Sequence, residues 1–146
     1  EYYRVDGWID NAPYPGVAEM LAEMKAAGCK LYVATSKLET MAVQVLRHFG
    51  LADYFEAICG APEGDPEAGK KVNVVKRALK EAECTELSRA VMVGDREHDI
   101  LGGHMAGLQA VGVLYGYGSR EELEKAGAEA IAATPEELKN LILMRN

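Results

Sequence analysis

The chain has 146 residues, 49% of them apolar and 27% charged, the balance of one soluble globular domain with a real core. Its net charge of −7 argues against nucleic acid as a partner, because phosphate-binding surfaces are basic. There is no apolar run near the roughly 20 residues of a membrane helix, so no membrane partner is expected.

The three cysteines, Cys29, Cys59 and Cys84, show no CxxC pairing and no ligand spacing with His48, His98 or His104. They read as reduced, mostly buried thiols of a cytoplasmic protein. The three histidines share no spacing and read as surface or packing residues. No signal peptide opens the chain, and Glu1 is not an initiator Met, which fits a processed or truncated piece.

Short β-branched runs alternate with helical periods, the pattern of βα units around a parallel sheet. Residues 1–13 are aromatic and polar with weak period, and Pro13 and Pro15 break them off. Val17, Met20, Leu21 and Met24 then mark a helix face that stops at Gly28. Leu31 to Ala34 reads as a buried strand ending at Thr35-Ser36. The next helix turns Leu38, Met41, Ala42, Val45, Leu46 and Phe49 inward. Ala57-Ile58-Cys59 is a short strand, and residues 60–69 form an acidic, Gly- and Pro-rich loop.

Lys70 or Lys71 opens a third helix with Val72, Val75, Leu79 and Ala82 on one face. Ala90 to Val93 is a strand ending at Gly94-Asp95, and Ile100, Leu101 and Met105 line the helix after it. A strand over Ala110 to Leu114 leads to the loop Gly116-Tyr117-Gly118. Ser119 with Glu122 has the form of a capping box. The last pair is a strand at Ala130 to Ala132 and a helix from Thr134-Pro135, running to about Met144.

In an open parallel sheet, ligands bind beyond the carboxyl ends of the strands. Asp95 sits at such an end, with Asp99 four residues on, so both carboxylates can face one point and suit Mg²⁺. Equally, Asp95 can cap the helix and Asp99 can answer its dipole. Thr35 and Ser36 offer hydroxyls and N–H groups to an anion, or else serve as a plain N-cap. A lysine at position 70 or 71 opposes the helix dipole and calls for an anionic partner, although solvation answers that too.

In this order the residues resemble the haloacid-dehalogenase-like phosphatases, in particular the phosphoglycolate-phosphatase-like branch, over nearly the whole chain. Val33-Ala34-Thr35-Ser36-Lys37 looks like the family's second motif, whose Thr or Ser binds the transferring phosphoryl group. Lys71, with Lys70 beside it, is similar to the third-motif lysine. Gly94-Asp95-Arg96-Glu97-His98-Asp99 looks like the Mg²⁺-holding GDxxxD. Tyr115 to Ser119, followed by Glu121-Glu122-Leu123, also matches this branch.

The resemblance implies a doubly wound, Rossmann-like α/β core over residues 15–146 and a cap tail and hinge over residues 1–14. The implied activity is hydrolysis of a small phosphate monoester through an aspartyl-phosphate. Thr35, Lys71 and Asp95 would be catalytic, Thr35, Ser36 and Lys71 would bind substrate, and Asp95 and Asp99 would hold Mg²⁺.

One motif is absent. The family's DxDGT, with its nucleophilic aspartate, has no match: at Asp6-Gly7, Arg4 stands at the nucleophile's position and Trp8 at the threonine's, and no strand precedes it. The motif is expected upstream of Glu1, leaving a core without its first strand and two buried strand edges without partners. A missing segment or another chain would complete the sheet, or the strands would close up. The other functions open to the chain are an inactive core acting as a binding or interaction module, or another activity of the superfamily such as nucleotidase, phosphomutase or dehalogenase. A phospho-receiver domain places its acidic pair early in the chain and its lysine late, the reverse of the order here.

Overall fold

A computed structural model describes residues 2–6 and 14–144. Its elements in chain order are β1 (Tyr2–Asp6), α1 (Val17–Ala26), β2 (Cys29–Leu38), α2 (Glu39–His48), β3 (Ala57–Ala61), α3 (Lys71–Glu81), β4 (Ala90–Gly94), α4 (Glu97–Met105), β5 (Gln109–Val113), α5 (Arg120–Lys125), β6 (Ala130–Ala132) and α6 (Pro135–Leu143). The described strands form one sheet in the order β3-β2-β1-β4-β5-β6, and every adjacent pair is parallel.

Side chains alternate across each strand and feed two cores. Leu31 and Val33 of β2, with Val91 and Val93 of β4, face α1, α2 and α6. Tyr32 and Ala34, with Ala90 and Met92, face α3, α4 and α5. Helices on both faces of a parallel sheet make the doubly wound α/β fold expected from the sequence. No helix among the described residues is long and apolar enough to cross a membrane.

The central slot differs from expectation. Tyr2–Asp6, read from the sequence as part of a cap tail with no strand before Asp6, forms β1 between β2 and β4. Its Cα partners run from Tyr2 opposite Cys29 to Asp6 opposite Val33, and Asp6 also lies opposite Val93. The physical reason is the one that made an empty slot costly: two buried strand edges need hydrogen-bond partners. Two tyrosines and a valine within five residues supply the β propensity that weak period concealed. Of residues 1–14, read as cap tail and hinge, Glu1 and residues 7–13 lie outside the described residues.

Helix faces also turned out narrower than their periods suggested. Met41 is 51% exposed and Leu38 and Phe49 are also exposed, leaving Ala42 and Leu46 to seat α2. On α3 the buried face is Lys71, Val74, Val75, Ala78 and Leu79. On α4, Leu101 and Met105 are exposed, whereas Gly102 and Gly103 are buried. Gly103 lies against Met92, with 2.6 Å between a Cβ built on it and the Met92 Cβ, so the helix approaches β4 more closely than a side chain would permit.

Candidate active site

The strand order reverses direction around β1, so the crevice at the carboxyl ends of β2, β1 and β4 is the switch point of the sheet. Four polar residues are buried among the described ones: Thr35, Lys71, Asp95 and Asp99. The sequence had singled out all four.

Thr35 lies inside β2, not at the N-terminus of α2 as the sequence suggested. The ladder pairs Ala34 with Cys59 and next pairs Leu38 with Ala61, so four residues of β2 span two of β3 and Thr35–Lys37 bulge out. The Thr35 Oγ1 accepts a hydrogen bond from the Lys37 N–H at 3.1 Å, which leaves its own O–H to donate elsewhere. Ser36 is exposed beside it. Helix α2 begins at Glu39, and its N-cap, Leu38, offers no side-chain hydrogen bond.

Lys71 opens α3 with its side chain enclosed. Its Nζ donates to the Ala34 carbonyl at 3.2 Å and pairs with Asp99 Oδ1 at 2.7 Å. Its neighbour Lys70 points to solvent and pairs with Glu67 at 2.8 Å. Of the two lysines left open by the sequence, Lys71 therefore enters the crevice. Gly102 on α4 makes room for it, since any Cβ there would overlap the Lys71 side chain.

Asp99 uses both carboxylate oxygens within the protein. Oδ2 accepts from the backbone N–H groups of Asp95 at 3.1 Å and Arg96 at 3.2 Å, closing the first turn of α4. Oδ1 makes no well-aligned hydrogen bond among the described residues; its charge is answered by the ammonium of Lys71, with His98 Nε2 farther off at 3.7 Å. Asp99 thus joins Lys71 to the backbone of Asp95.

Asp95 is held from the other side. Its Oδ2 accepts from the Tyr117 N–H at 2.8 Å. Gly116 and Gly118 press so close that a Cβ on either would overlap Asp95 itself. Burial, and then the charge of Asp99, push the Asp95 carboxyl above its usual range, against the lowering effect of the Tyr117 N–H. Among the described residues the nearby cations go elsewhere: Lys71 to Asp99, and Arg96 to Glu122 at 2.8 Å. Among the described residues, no three His, Cys, Asp or Glu side chains converge as a metal cluster.

The arrangement is one connected chain: Thr35, the Ala34 carbonyl, Lys71, Asp99 and the Asp95 backbone. It presents a hydroxyl, an ammonium and a carboxylate at one rim, a grouping suited to an anion together with a cation. Sequence reading missed the Tyr117 N–H and its flanking glycines as supports of Asp95, although the Gly-Tyr-Gly spacing was visible. It also gave Ser119 and Glu122 a reciprocal cap. Ser119 does accept from the Glu122 N–H, but the Glu122 carboxylate turns to Arg96 and to the Glu97 N–H.

Comparison with known proteins bears on this grouping. A family model described as haloacid dehalogenase-like hydrolase matches residues 9–113. The tyrosine-protein kinase PtkA of Mycobacterium tuberculosis is 39% identical over 96% of this chain and 48% of its own length. A phosphoglycolate phosphatase of Caulobacter vibrioides is 38% identical over 84% of the chain and 50% of its own length. The chain therefore spans about half the length of the curated relatives it matches. The crystal structure of a predicted phosphatase from Clostridium acetobutylicum superposes with a TM-score of 0.85 at 40% identity, covering 90% of this chain and 60% of that one.

Proposed function

This chain belongs to the haloacid dehalogenase-like hydrolases, and from that premise we propose that it is the core of a Mg²⁺-dependent phosphatase acting on a small phosphate monoester. The observation that carries this reading is the linkage of Thr35, Lys71, Asp99 and Asp95 at the switch point of the sheet. Phosphoryl transfer asks little covalent help of a protein; positioning and charge neutralisation dominate. The linked residues supply both.

In the proposed mechanism the Thr35 hydroxyl donates to a phosphoryl oxygen, and the N–H of Ser36 assists. Lys71 offsets the negative charge that gathers between phosphate and nucleophile. The nucleophile is an aspartate of a DxDGT motif, which these residues do not contain, and an aspartyl-phosphate forms and is hydrolysed.

The donor set suits a single hard cation held through Asp95. Its carboxylate is buried, has no cation paired with it among the described residues, and is pushed toward neutrality by burial and by Asp99, a burden that bound Mg²⁺ would relieve. When bound, Mg²⁺ supplies charge neutralisation and a template for the phosphoryl oxygens. Asp99 does not suit direct ligation, because both its oxygens are engaged. Its part in this mechanism is to fix Lys71 and the first turn of α4.

Turnover of p-nitrophenyl phosphate by the full-length protein, with Mg²⁺ and with EDTA, tests the reading. Asp95→Asn should cut the rate sharply and weaken the Mg²⁺ dependence. Near-normal rates for that variant would overturn the assignment. The likeness to a tyrosine-protein kinase favours one second reading, transfer of a phosphoryl group to a protein tyrosine. Incubation with ATP and a tyrosine-containing acceptor, set beside the hydrolysis assay, separates the two.

A further inference from the structure

We propose that Arg77 is a positioning residue that sets the Thr35 bulge, acting through Glu39 and Gly60; the proposal rests on the phosphoryl-binding role given to Thr35 above. The bulge has a mechanical problem. Between Ala34 and Leu38 the ladder to β3 shifts register, so β3 does not fix Thr35–Lys37 as it fixes Tyr32–Ala34. A hydroxyl and an N–H that are to meet a phosphoryl group in a fixed geometry need support beyond that ladder.

Helix α3 holds both ends. At one end Lys71 Nζ takes the carbonyl of Ala34, the residue just before Thr35. Six residues on, about 9 Å along the helix axis, Arg77 takes the other end. Its Nη1 donates to the Gly60 carbonyl at 3.0 Å, and its Nη2 pairs with the carboxylate of Glu39, the first residue of α2. Glu39 Oε1 accepts in turn from the Gly60 N–H at 3.0 Å. Gly60 has no room for a side chain: a Cβ would stand 2.6 Å from the Glu39 Cα and 2.9 Å from the Lys37 carbonyl oxygen.

One rigid helix therefore carries the lysine of the site and also fixes the loop that the lysine works with. Arg77 and Glu39 are both partly exposed, and such pairs contribute little to global stability. Their effect is local: the guanidinium fork fixes where the bulge stands relative to Lys71.

The test compares Arg77→Ala, Arg77→Lys and Glu39→Gln with Leu79→Ala, a buried apolar position on the same helix. In the full-length protein, kcat and KM for p-nitrophenyl phosphate, amide exchange over residues 36–38 and thermal unfolding are measured together. Arg77→Ala should lower kcat by roughly thirty- to a hundredfold. It should speed exchange over 36–38 about tenfold, and Arg77→Lys should recover part of both. Leu79→Ala should lower the Tm at least as much yet keep kcat and local exchange.

Unchanged kcat and exchange in Arg77→Ala would overturn the proposal, as would an equal loss of kcat in Leu79→Ala. If Arg77→Ala does not fold, Glu39→Gln decides by the same readouts. Activity that survives Arg77→Ala but not Asp95→Asn defeats this proposal alone. Activity that survives Asp95→Asn defeats the phosphatase reading, and the exchange measurement still reports on the clamp.

Discussion

The ammonium of Lys71 stands 2.7 Å from Asp99 Oδ1, with the two side chains 7% and 1% exposed. A pair so enclosed is asymmetric in its energetics. Intact, it roughly balances its desolvation; with one partner removed, it leaves a buried charge unanswered, at a cost of about 3–5 kcal/mol. Lys71→Ala should therefore destabilise the fold by that order in urea unfolding, and also abolish turnover. Lys70→Ala removes only a solvent-facing pair with Glu67 and should stay within about 0.5 kcal/mol. A larger loss from Lys70→Ala would reverse the assignment of the two lysines.

Asp95 gives a pH-dependent prediction of defined sign. Its carboxyl is raised from the ordinary value of 3.8, first by burial and then by Asp99. The folded state thus binds this proton more tightly than the unfolded chain does. The resulting stabilisation is complete below 3.8 and is lost as pH rises through the raised value. At neutral pH without metal, ionised Asp95 burdens the fold. Asp95→Asn, which can still accept from the Tyr117 N–H, should unfold at higher urea than the unmodified protein in EDTA at pH 7, and the gap should narrow toward pH 4. Mg²⁺ should stabilise the unmodified protein and not the variant. A variant less stable than the unmodified protein at pH 7 in EDTA would contradict this account.

Lys71 and Asp95 were legible in the sequence because one opens a helix and the other follows a strand, Asp99 because it lies one helical turn beyond Asp95, and Thr35 because the apolar run of β2 stops there, although the strand itself runs on to Leu38. Their connections were not legible. That Asp99 spends its carboxylate on Lys71 and two backbone N–H groups depends on how α3 packs against α4, and Gly102 lets them close. Apolar period likewise marks a face but not its width, so Met41 and Met105 were placed inward and stand in solvent. The strand at Tyr2–Asp6 escaped because a central strand answers to its two neighbours more than to its own alternation.

Gly118 carries the third prediction. A Cβ there would overlap the Asp95 carbonyl oxygen, which is backbone and cannot swing aside. Gly118→Ala should push the Gly116–Gly118 loop off Asp95, break the hydrogen bond from the Tyr117 N–H, and cost about 1–3 kcal/mol of stability. The functional consequence is read by calorimetric titration with Mg²⁺. Affinity should fall in Gly118→Ala, because the carboxylate loses its orienting donor. Unaltered Mg²⁺ affinity would mean that Tyr117 does not orient Asp95.

The last prediction concerns β1. Val5 is paired on both sides, with Tyr32 of β2 and Met92 of β4, which makes it the middle of a central strand. Proline there removes a backbone donor that the ladder needs and cannot be accommodated as it would be at an edge. The carbonyl left without a partner costs about 1–3 kcal/mol, and the edges of β2 and β4 loosen together. Val5→Pro should lower the urea midpoint and speed amide exchange in β2 and β4 while leaving that of β6, at the sheet edge, near its original rate. A variant with an unchanged midpoint and unchanged exchange in β2 would show that the slot between these strands does not depend on residues 2–6.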